Sequence, residues 1–372
     1  MKKKVKDFFT HIICQILRYF PVRHEGGLIK IGNPGPYSAV FVSGDYFSTA
    51  KRVIKSLNEH DCYLLIVDSA GINVWCAAGV GDLNEHKIAD AVNACGLKNI
   101  VKHRTLILPQ LAAVGINKKK LNKECGFNVK WGPANLSDIK EFIENGLEST
   151  KKMRLVRFML RDRLSLALGQ LFNYYFFYVY YFIFTLIFGT QYNHQALFVA
   201  IVLFYTISAT VFIFLMPFKW PASNILFASI IPFCGIFIYV FMINPSANEM
   251  LPFYLASTAV VTLLICMDMI GSTVFYKSTV THWLTTFSNR SLFQPKINAD
   301  CIQCEACLLV CPKGLISKNG DDMMEIDLCK ECCECLACVK QCPNEAIENM
   351  NKGIYKHDIK SIPEKVMARI MC

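Results

Sequence analysis

Two cysteine runs near the carboxyl end carry the strongest chemical signal in the chain. Each run has the spacing Cys-x2-Cys-x2-Cys-x3-Cys and is followed by proline. Thiolates at this spacing hold the iron corners of cubane clusters, and the fourth cysteine of each run crosses to the other cluster. The sequence therefore predicts two [4Fe-4S] clusters. The predicted ligands are Cys301, Cys304, Cys307 and Cys342 for one cluster, and Cys311, Cys332, Cys335 and Cys338 for the other.

A pair of zinc sites is the alternative for these cysteines. Zinc needs closed tetrahedral ligand sets, which do not explain a duplicated pattern of eight cysteines. Cys329 and Cys333 lie outside the pattern. Between Asp300 and Glu348 ten acidic residues stand against four basic ones, which favours docking on a basic partner.

A second chemical signal is the stretch Asn73–Gly79. It follows the apolar run from Cys62 to Asp68, which turn residues close and which is typical of a buried parallel strand. Open α/β sheets bind ligands at the carboxyl ends of their strands, and the dipole of a helix starting there favours a thiolate. Cys76 is therefore a candidate metal ligand. The alternative is a small buried hydrophobe beside Trp75 as a packing residue.

The stretch Asn73-Val74-Trp75-Cys76-Ala77-Ala78-Gly79, with the segment from His103 to Leu111, resembles the corrinoid protein of microbial mercury methylation. That family is related to the corrinoid iron–sulfur protein of acetyl-CoA synthesis. The resemblance implies a cap helix under a cobalamin-type corrinoid, with Cys76 as the lower axial ligand to cobalt. It also implies cofactor contacts from His103, Arg104 and Thr105. The family usually has lysine after the glycine, where this chain has Val80.

The cysteine-rich end resembles the ferredoxin that accompanies this corrinoid protein, so the chain is similar to a fusion of the two partners. The family ferredoxin has a further cysteine shortly after its second motif and a terminal cysteine pair that handles mercury. Here residues 349–356 contain no cysteine and the chain ends in Met371-Cys372. The resemblance makes Cys372 a second catalytic candidate beside Cys76.

These resemblances imply a corrinoid-dependent methyltransferase of an anaerobe. Its clusters would pass electrons from a low-potential donor to cobalt, which would take methyl from a methyl-donor protein or methyl-folate and pass it to Hg(II). A corrinoid methyl carrier for another acceptor is one alternative. A membrane iron–sulfur electron-transfer protein without corrinoid is the other.

The cap-like stretch requires a sheet to position it, and the sequence predicts one. Residues 24–150 alternate strands, from Ala39 to Ser43 and from Thr105 to Leu108 among others, with helices such as the one from Glu85 to Ala94. We expect a small Rossmann-like α/β corrinoid-binding domain. Gly79-Val80-Gly81 imitates a dinucleotide loop, but Asn84 takes the third glycine position.

Composition predicts a membrane-attached metalloprotein. The chain has 372 residues, of which 53% are hydrophobic, with 18 cysteines and a net charge of +10. A basic collar at 151–163 precedes four apolar segments, 164–189, 196–216, 222–243 and 251–274, each long enough to cross a bilayer. Asp268 lies in the last segment, where a hydrated structural role or an ion pathway is possible. Lys and Arg in the connections place both soluble ends in the cytoplasm.

The predicted fold class is thus multidomain, in the inner (cytoplasmic) membrane: a Rossmann-like α/β domain, a transmembrane helical bundle and an α+β 2[4Fe-4S] ferredoxin domain. No nucleic-acid motif is present, and the predicted partners include the lipid bilayer. Residues 1–23 are predicted to form a basic amphipathic helix on the membrane surface. The domains that follow are the α/β corrinoid-binding domain at 24–150, the transmembrane domain at 151–290, the ferredoxin domain at 291–350 and the tail with Cys372 at 351–372.

Overall fold

The computed structural model describes Thr10 and residues 21–157, 293–327, 332 and 335–350. Apart from Thr10, these belong to one compact unit made of Pro21–Arg157 and Asn289–Cys372. The other unit of the chain is formed by residues 1–20 and 158–288. The predicted amphipathic helix, the four apolar segments, Asp268 and the tail with Cys372 lie outside the described residues.

The first part of the described unit is an α/β domain, as the sequence predicted, and its one sheet is mixed. Its strands are β1 (Gly27–Ile31), β2 (Val40–Gly44), β3 (Cys62–Val67), β4 (Thr105–Leu108) and β5 (Asn128–Trp131). Its α-helices are α1 (Phe47–Leu57), α2 (Val74–Val80), α3 (Glu85–Ala94), α4 (Leu97–Ile100), α5 (Lys118–Cys125) and α6 (Ile139–Glu144). Two 3-10 segments complete it, η1 (Gln110–Val114) and η2 (Leu136–Asp138).

The strand order is β1-β3-β2-β4-β5, in which β2 to β5 are parallel and β1 runs antiparallel to β3. Every residue of β2 and β3 is buried, because helices and η1 cover both faces of the sheet. The chain passes from β2 to its neighbour β3 and then crosses to β4 on the other side of β2. Such a reversal of direction is where open α/β sheets form a ligand crevice. The segments that follow β3 and β4 are therefore the ones to examine.

The second part, which we call the cysteine-rich module, comprises residues 293–327, 332 and 335–350. Its elements are β6 (Pro295–Ile297), α7 (Ala306–Val310), β7 (Ile316–Lys318), β8 (Met324–Ile326), α8 (Ala337–Gln341) and β9 (Ile347–Asn349). The number of residues between the first cysteines of the two runs is the same as that between the starts of α7 and α8 and between the starts of β7 and β9. The module is therefore an internal repeat. Antiparallel pairs β6–β9 and β7–β8 join its two halves.

The predicted membrane-spanning architecture is corrected by the structure. Within the ranges that the structure describes, no helix is long and apolar enough to cross a membrane. The longest of those helices, α1, has 11 residues. It spans about 16 Å, roughly half of a hydrocarbon core about 30 Å thick. The fold class with a transmembrane bundle and the multi-pass inner-membrane localisation are therefore wrong as predictions for the architecture described here.

Candidate functional site

The turn that leads from β3 into α2 is organised by Asp45, which follows β2. Asp45 Oδ1 accepts hydrogen bonds from the amides of Ser69 and Gly71, both at 2.9 Å, and from Ser69 Oγ at 2.8 Å. Asp45 and Ser69 are buried, and Ser69 Oγ in turn accepts the Asp45 amide at 3.0 Å. Buried hydrogen bonds to a charged group are among the stronger ones. Asp45 therefore fixes the position at which α2 starts.

Helix α2 contains the predicted cap stretch and presents Cys76 on its accessible side. Val74, Ala77 and Ala78 are buried against the sheet, whereas Trp75 and Cys76 are half-buried. Cys76 is thus not a fully buried core residue. Its sulfur is disulfide-bonded, so reduction has to precede any metal ligation by Cys76. Asn73 at the start of α2 is exposed, Gly79 is buried, and Val80 at its end is half-buried.

Helix α2 packs directly on η1, the segment that follows β4. A Cβ atom at Gly115 would lie 2.1 Å from the carbonyl oxygen of Ala78. Only glycine therefore permits this approach of the two backbones. The carboxyl ends of β3 and β4 are in this way joined into one surface beside Cys76.

Two buried polar groups of this surface have no hydrogen-bond partner in the described parts of the chain. Gln110 is 1% exposed, and both its amide nitrogen and its amide oxygen lack partners. The indole Nε1 of Trp75 also lacks one. Buried polar atoms are almost always satisfied, so unsatisfied ones indicate a missing water or ligand. A corrin ring, with amide side chains around its rim, has the donors and acceptors that these groups need, and Cys76 offers cobalt a soft donor. The residues present fit the cofactor.

The other predicted cofactor contacts lie elsewhere. His103, Arg104 and Thr105 stand at the amino end of β4, opposite to the edge that carries α2. His103 Nε2 lies 2.9 Å from the carbonyl oxygen of Ser38, and the Thr105 amide donates to His103 Nδ1 at 3.2 Å, so Nε2 carries the proton. Arg104 donates to nearby carbonyls, including that of Val101 at 2.8 Å. These bonds account structurally for the side chains of His103 and Arg104, and the cofactor role of His103, Arg104 and Thr105 stays a prediction.

The cysteines of the two runs line two separate cavities in the crossed arrangement that the spacing indicates. The first encloses about 300 Å³, including its opening to solvent, and is lined by Cys301, Cys304, Cys307 and Cys342. The second encloses about 340 Å³ and is lined by Cys311, Cys332, Cys335 and Cys338. Backbone amides also point at the crossing sulfurs: Leu315 donates to Cys311 Sγ at 3.3 Å and Ala346 to Cys342 Sγ at 3.1 Å. Such bonds stabilise thiolates that ligate iron.

Burial opposes ionisation of these thiols in the absence of a cation. It raises the pKa of Cys307 to about 11, and the nearby Cys301 and Cys342 add to the effect. It also raises the pKa of Cys338 well above its usual value, with Cys311 and Cys332 acting in the same direction. Within the described ranges no three His, Cys, Asp or Glu side chains are grouped closely enough to hold a single metal ion. Cubane ligands stand farther apart, because each binds a different iron corner.

Three cysteines outside the two runs lie in the core of the α/β domain or at its margin. Cys62 in β3 and Cys125 at the end of α5 are buried, and Cys95 after α3 is half-buried. The supernumerary Cys329 and Cys333 lie outside the described residues.

Comparison with known proteins shows that the α/β domain is similar to subunits of acetyl-CoA synthase and acetyl-CoA decarbonylase/synthase complexes. The family model of the CO dehydrogenase/acetyl-CoA synthase delta subunit matches residues 18–143. The gamma subunit of the acetyl-CoA decarbonylase/synthase complex of Methanosarcina acetivorans is 35% identical over 128 residues, which are 33% of this chain and 27% of the relative. That of Methanopyrus kandleri is 29% identical over 126 residues, again 33% and 27%. The α/β domain is related to these subunits.

This relationship supports one part of the predicted resemblance, the link to the corrinoid iron–sulfur proteins of acetyl-CoA synthesis. The chain spans about a quarter of the length of these curated relatives, and the match to the family model ends before the cysteine-rich module. The similarity to the mercury-methylating fusion is not confirmed by them.

Sequence reasoning missed three residues that build the site. Asp45 and Gly115 are single residues in loops, and neither has a periodic signal. Gln110 lies inside the segment from His103 to Leu111 that carried the resemblance, and it directly follows the Pro109 that ends the strand. A polar side chain placed immediately after a buried parallel strand is the signal that could have found it.

Proposed function

We propose that this chain is a corrinoid-dependent methyl-transfer protein that carries two [4Fe-4S] clusters of its own. The observation that carries the proposal is the packing of α2 on η1, two segments that carry half-buried Cys76 and the unsatisfied polar groups of Trp75 and Gln110. The relationship of the α/β domain to subunits of acetyl-CoA decarbonylase/synthase complexes supports it.

Each residue of the surface has a role in this proposal. When bound, the corrinoid supplies the metal that carries the methyl group, while the protein ligates and positions it. Cys76, once reduced, donates its thiolate sulfur to cobalt. Gln110 and Trp75 would offer their unsatisfied polar groups to the bound corrinoid and so help to orient it. Asp45 and Gly115 hold α2 in place behind these contacts.

The eight cysteines of the two runs are proposed to hold the clusters, in the sets that line the two cavities. Iron clusters supply the positive charge that buried thiolates such as Cys307 and Cys338 require. In anaerobically purified protein, iron and sulfide should each approach about eight per chain, because each cubane carries about four of both. A value near four, or zinc in place of iron, would contradict the assignment.

The finer part of the proposal concerns the acceptor. The Asn73–Gly79 stretch and the cysteine-rich module favour Hg(II), a soft ion that thiols capture. The test supplies Hg(II) to the reduced, methyl-loaded protein and measures methylmercury for wild type, Cys372→Ala and Val80→Lys. If only Val80→Lys produces methylmercury, the natural acceptor is another one, and the chain is a corrinoid methyl carrier.

The cofactor itself is tested with Cys76→Ala. Wild type and variant are reduced, reconstituted with hydroxocobalamin and compared by visible spectrum and by the electron paramagnetic resonance of bound cobalt. Loss of an axial sulfur should change both signals while the clusters and the fold persist. Cys95→Ala is the matched control, because Cys95 is also half-buried but belongs to another helix end. Identical spectra of Cys76→Ala and wild type would mean that Cys76 is only a packing residue. Protein that contains iron but binds no cobalt would favour an electron-transfer function.

A further inference from the structure

The end of α8 in the cysteine-rich module is bonded to η1 of the α/β domain. Gln341 Nε2 donates to the carbonyl oxygens of Ala113 at 2.9 Å and Ile116 at 2.6 Å, and the Gln341 side chain is buried. Beside it, Asn117 Nδ2 donates to the carbonyl oxygen of Lys340 at 3.4 Å. Each bond joins residues more than 200 positions apart in the chain. The same η1 segment therefore supports α2 on one side and α8 on the other.

A second strip of contacts joins the module to the segment after α6. The amide of Val156 donates to the carbonyl oxygen of Pro312 at 3.0 Å. A Cβ atom at Gly314 would lie 2.8 Å from Leu155 Cδ2, so the Leu155 side chain packs directly on the Gly314 backbone. The buried residues of the α/β domain and of the module form one continuous apolar cluster. The module is thus packed on the domain along two strips.

The charges at this contact are complementary. Arg154 of the α/β domain is half-buried and interacts electrostatically with Glu305 of the module. The acidic excess of the module was expected to favour a basic partner. This cation of the same chain faces it.

The internal repeat shows that Gln341 is a departure from the pattern of the module. The position of Gln341 at the end of α8 corresponds to Val310 at the end of α7, and both residues are buried. The fold of the repeat therefore accepts an apolar residue at this position. The amide stands at the helix end that reaches two backbone carbonyl groups at η1, to which it donates.

We propose that the cysteine-rich module is a built-in docking partner of the α/β domain and that Gln341 is the positioning residue that fixes it against η1. The docking follows from these contacts alone. Its purpose rests on the proposed function: electrons from a low-potential reductant outside the chain enter the clusters and leave across this contact. In each transfer a reduced cluster loses one electron, and the acceptor held at α2 gains that electron.

The test compares Gln341→Met and Gln341→Val in the full chain, purified anaerobically with its iron. Gln341→Met keeps the length of the side chain, and Gln341→Val reproduces the residue of the other repeat. Both should leave the iron content unchanged. Hydrogen–deuterium exchange of the amides of Gly115 and Ile116, which are bonded to Ala112 in η1, should become at least tenfold faster. Asn298→Ala is the matched control, because its amide donates to Glu348 within the module.

A second measurement addresses the purpose of the docking. After addition of titanium(III) citrate, reduction of bound corrinoid is followed by stopped-flow absorbance, and it should be at least tenfold slower in the two Gln341 variants than in Asn298→Ala. Exchange at η1 equal to that of the control would overturn the docking role. Faster exchange with an unchanged reduction rate would overturn the electron route. If the chain binds no corrinoid, the proposed function fails, and the exchange experiment still decides the docking.

Discussion

Gly115→Ala tests whether the contact between η1 and α2 builds the site. The added Cβ would lie 2.1 Å, 2.6 Å and 2.8 Å from the oxygen, carbonyl carbon and Cα of Ala78, all of which are backbone atoms. Gly115 has φ −109°, which any residue adopts, so steric overlap is the reason for the expected effect. Helix α2 and η1 have to separate by about 1 Å to restore ordinary van der Waals contact.

The expected cost follows from the size of this displacement. Overpacking of a tight contact destabilises by about 1–3 kcal/mol. Replacement of glycine by alanine also restricts the unfolded chain, which offsets about 0.4–1 kcal/mol. The free energy of unfolding, measured by urea titration with circular dichroism, should therefore fall by about 1–2 kcal/mol. Because α2 shifts, the cobalt spectrum of the reconstituted variant should also change.

Gly35→Ala provides the matched control. A Cβ atom at Gly35 would meet nothing within 4 Å, and the residue stands in a loop before β2. This change should leave stability unaltered or raise it by up to about 1 kcal/mol. If Gly115→Ala and Gly35→Ala have the same stability and the same cobalt spectrum, the close approach of η1 to α2 does not position the site.

Two further predictions concern groups around the sheet. Asp45→Ala leaves the buried amides of Ser69 and Gly71 without their acceptor and should lower the free energy of unfolding by about 3 kcal/mol. Asp68→Ala, whose half-exposed carboxylate forms surface ion pairs, should cost less than about 1 kcal/mol in the same urea titration, and equal effects would contradict the role of Asp45. Burial raises the pKa of Cys62 from 9.0 to about 11, so the thiol stays neutral in the folded protein while it ionises in the unfolded chain. This contribution to stability is complete below pH 9 and is lost as the pH rises toward 11, and Cys62 should resist iodoacetamide at pH 9 unless urea is added, as peptide mass spectrometry would show.

The sheet could be predicted from the sequence because its signals are local. The buried run from Cys62 and the helix from Glu85 to Ala94 were located to within a residue of their observed ends. The edge strand β1 was missed, because Gly27–Ile31 carries a lysine and two glycines precede its apolar residues. Helix α5 was missed as well, because its sequence is mostly lysine and asparagine and only Leu121 and Cys125 are buried.

The site was harder to predict because its parts come from distant positions. The sequence indicated the cysteine sets by their spacing, and Cys76 by its place after a buried strand and by the family resemblance. It did not indicate that η1 would lie against Ala78, since that contact depends on the order of β3, β2 and β4 in the sheet. Nor could it indicate that Gln341 would reach η1. The prediction of membrane spans relied on apolar content alone, which does not distinguish residues that face lipid from residues that face protein.

The bonds of Gln341 also bear on how the chain is made. The side chain reaches the carbonyl of Ala113 across 228 positions of sequence. At about 5–20 residues per second, a ribosome needs roughly 10 to 45 s to pass from one to the other. Throughout that interval the nascent α/β domain holds η1 with two carbonyl groups and an apolar surface uncovered. Closure of this surface is thus a late event in biosynthesis, and a chain that is released early would expose a site for chaperones or proteases.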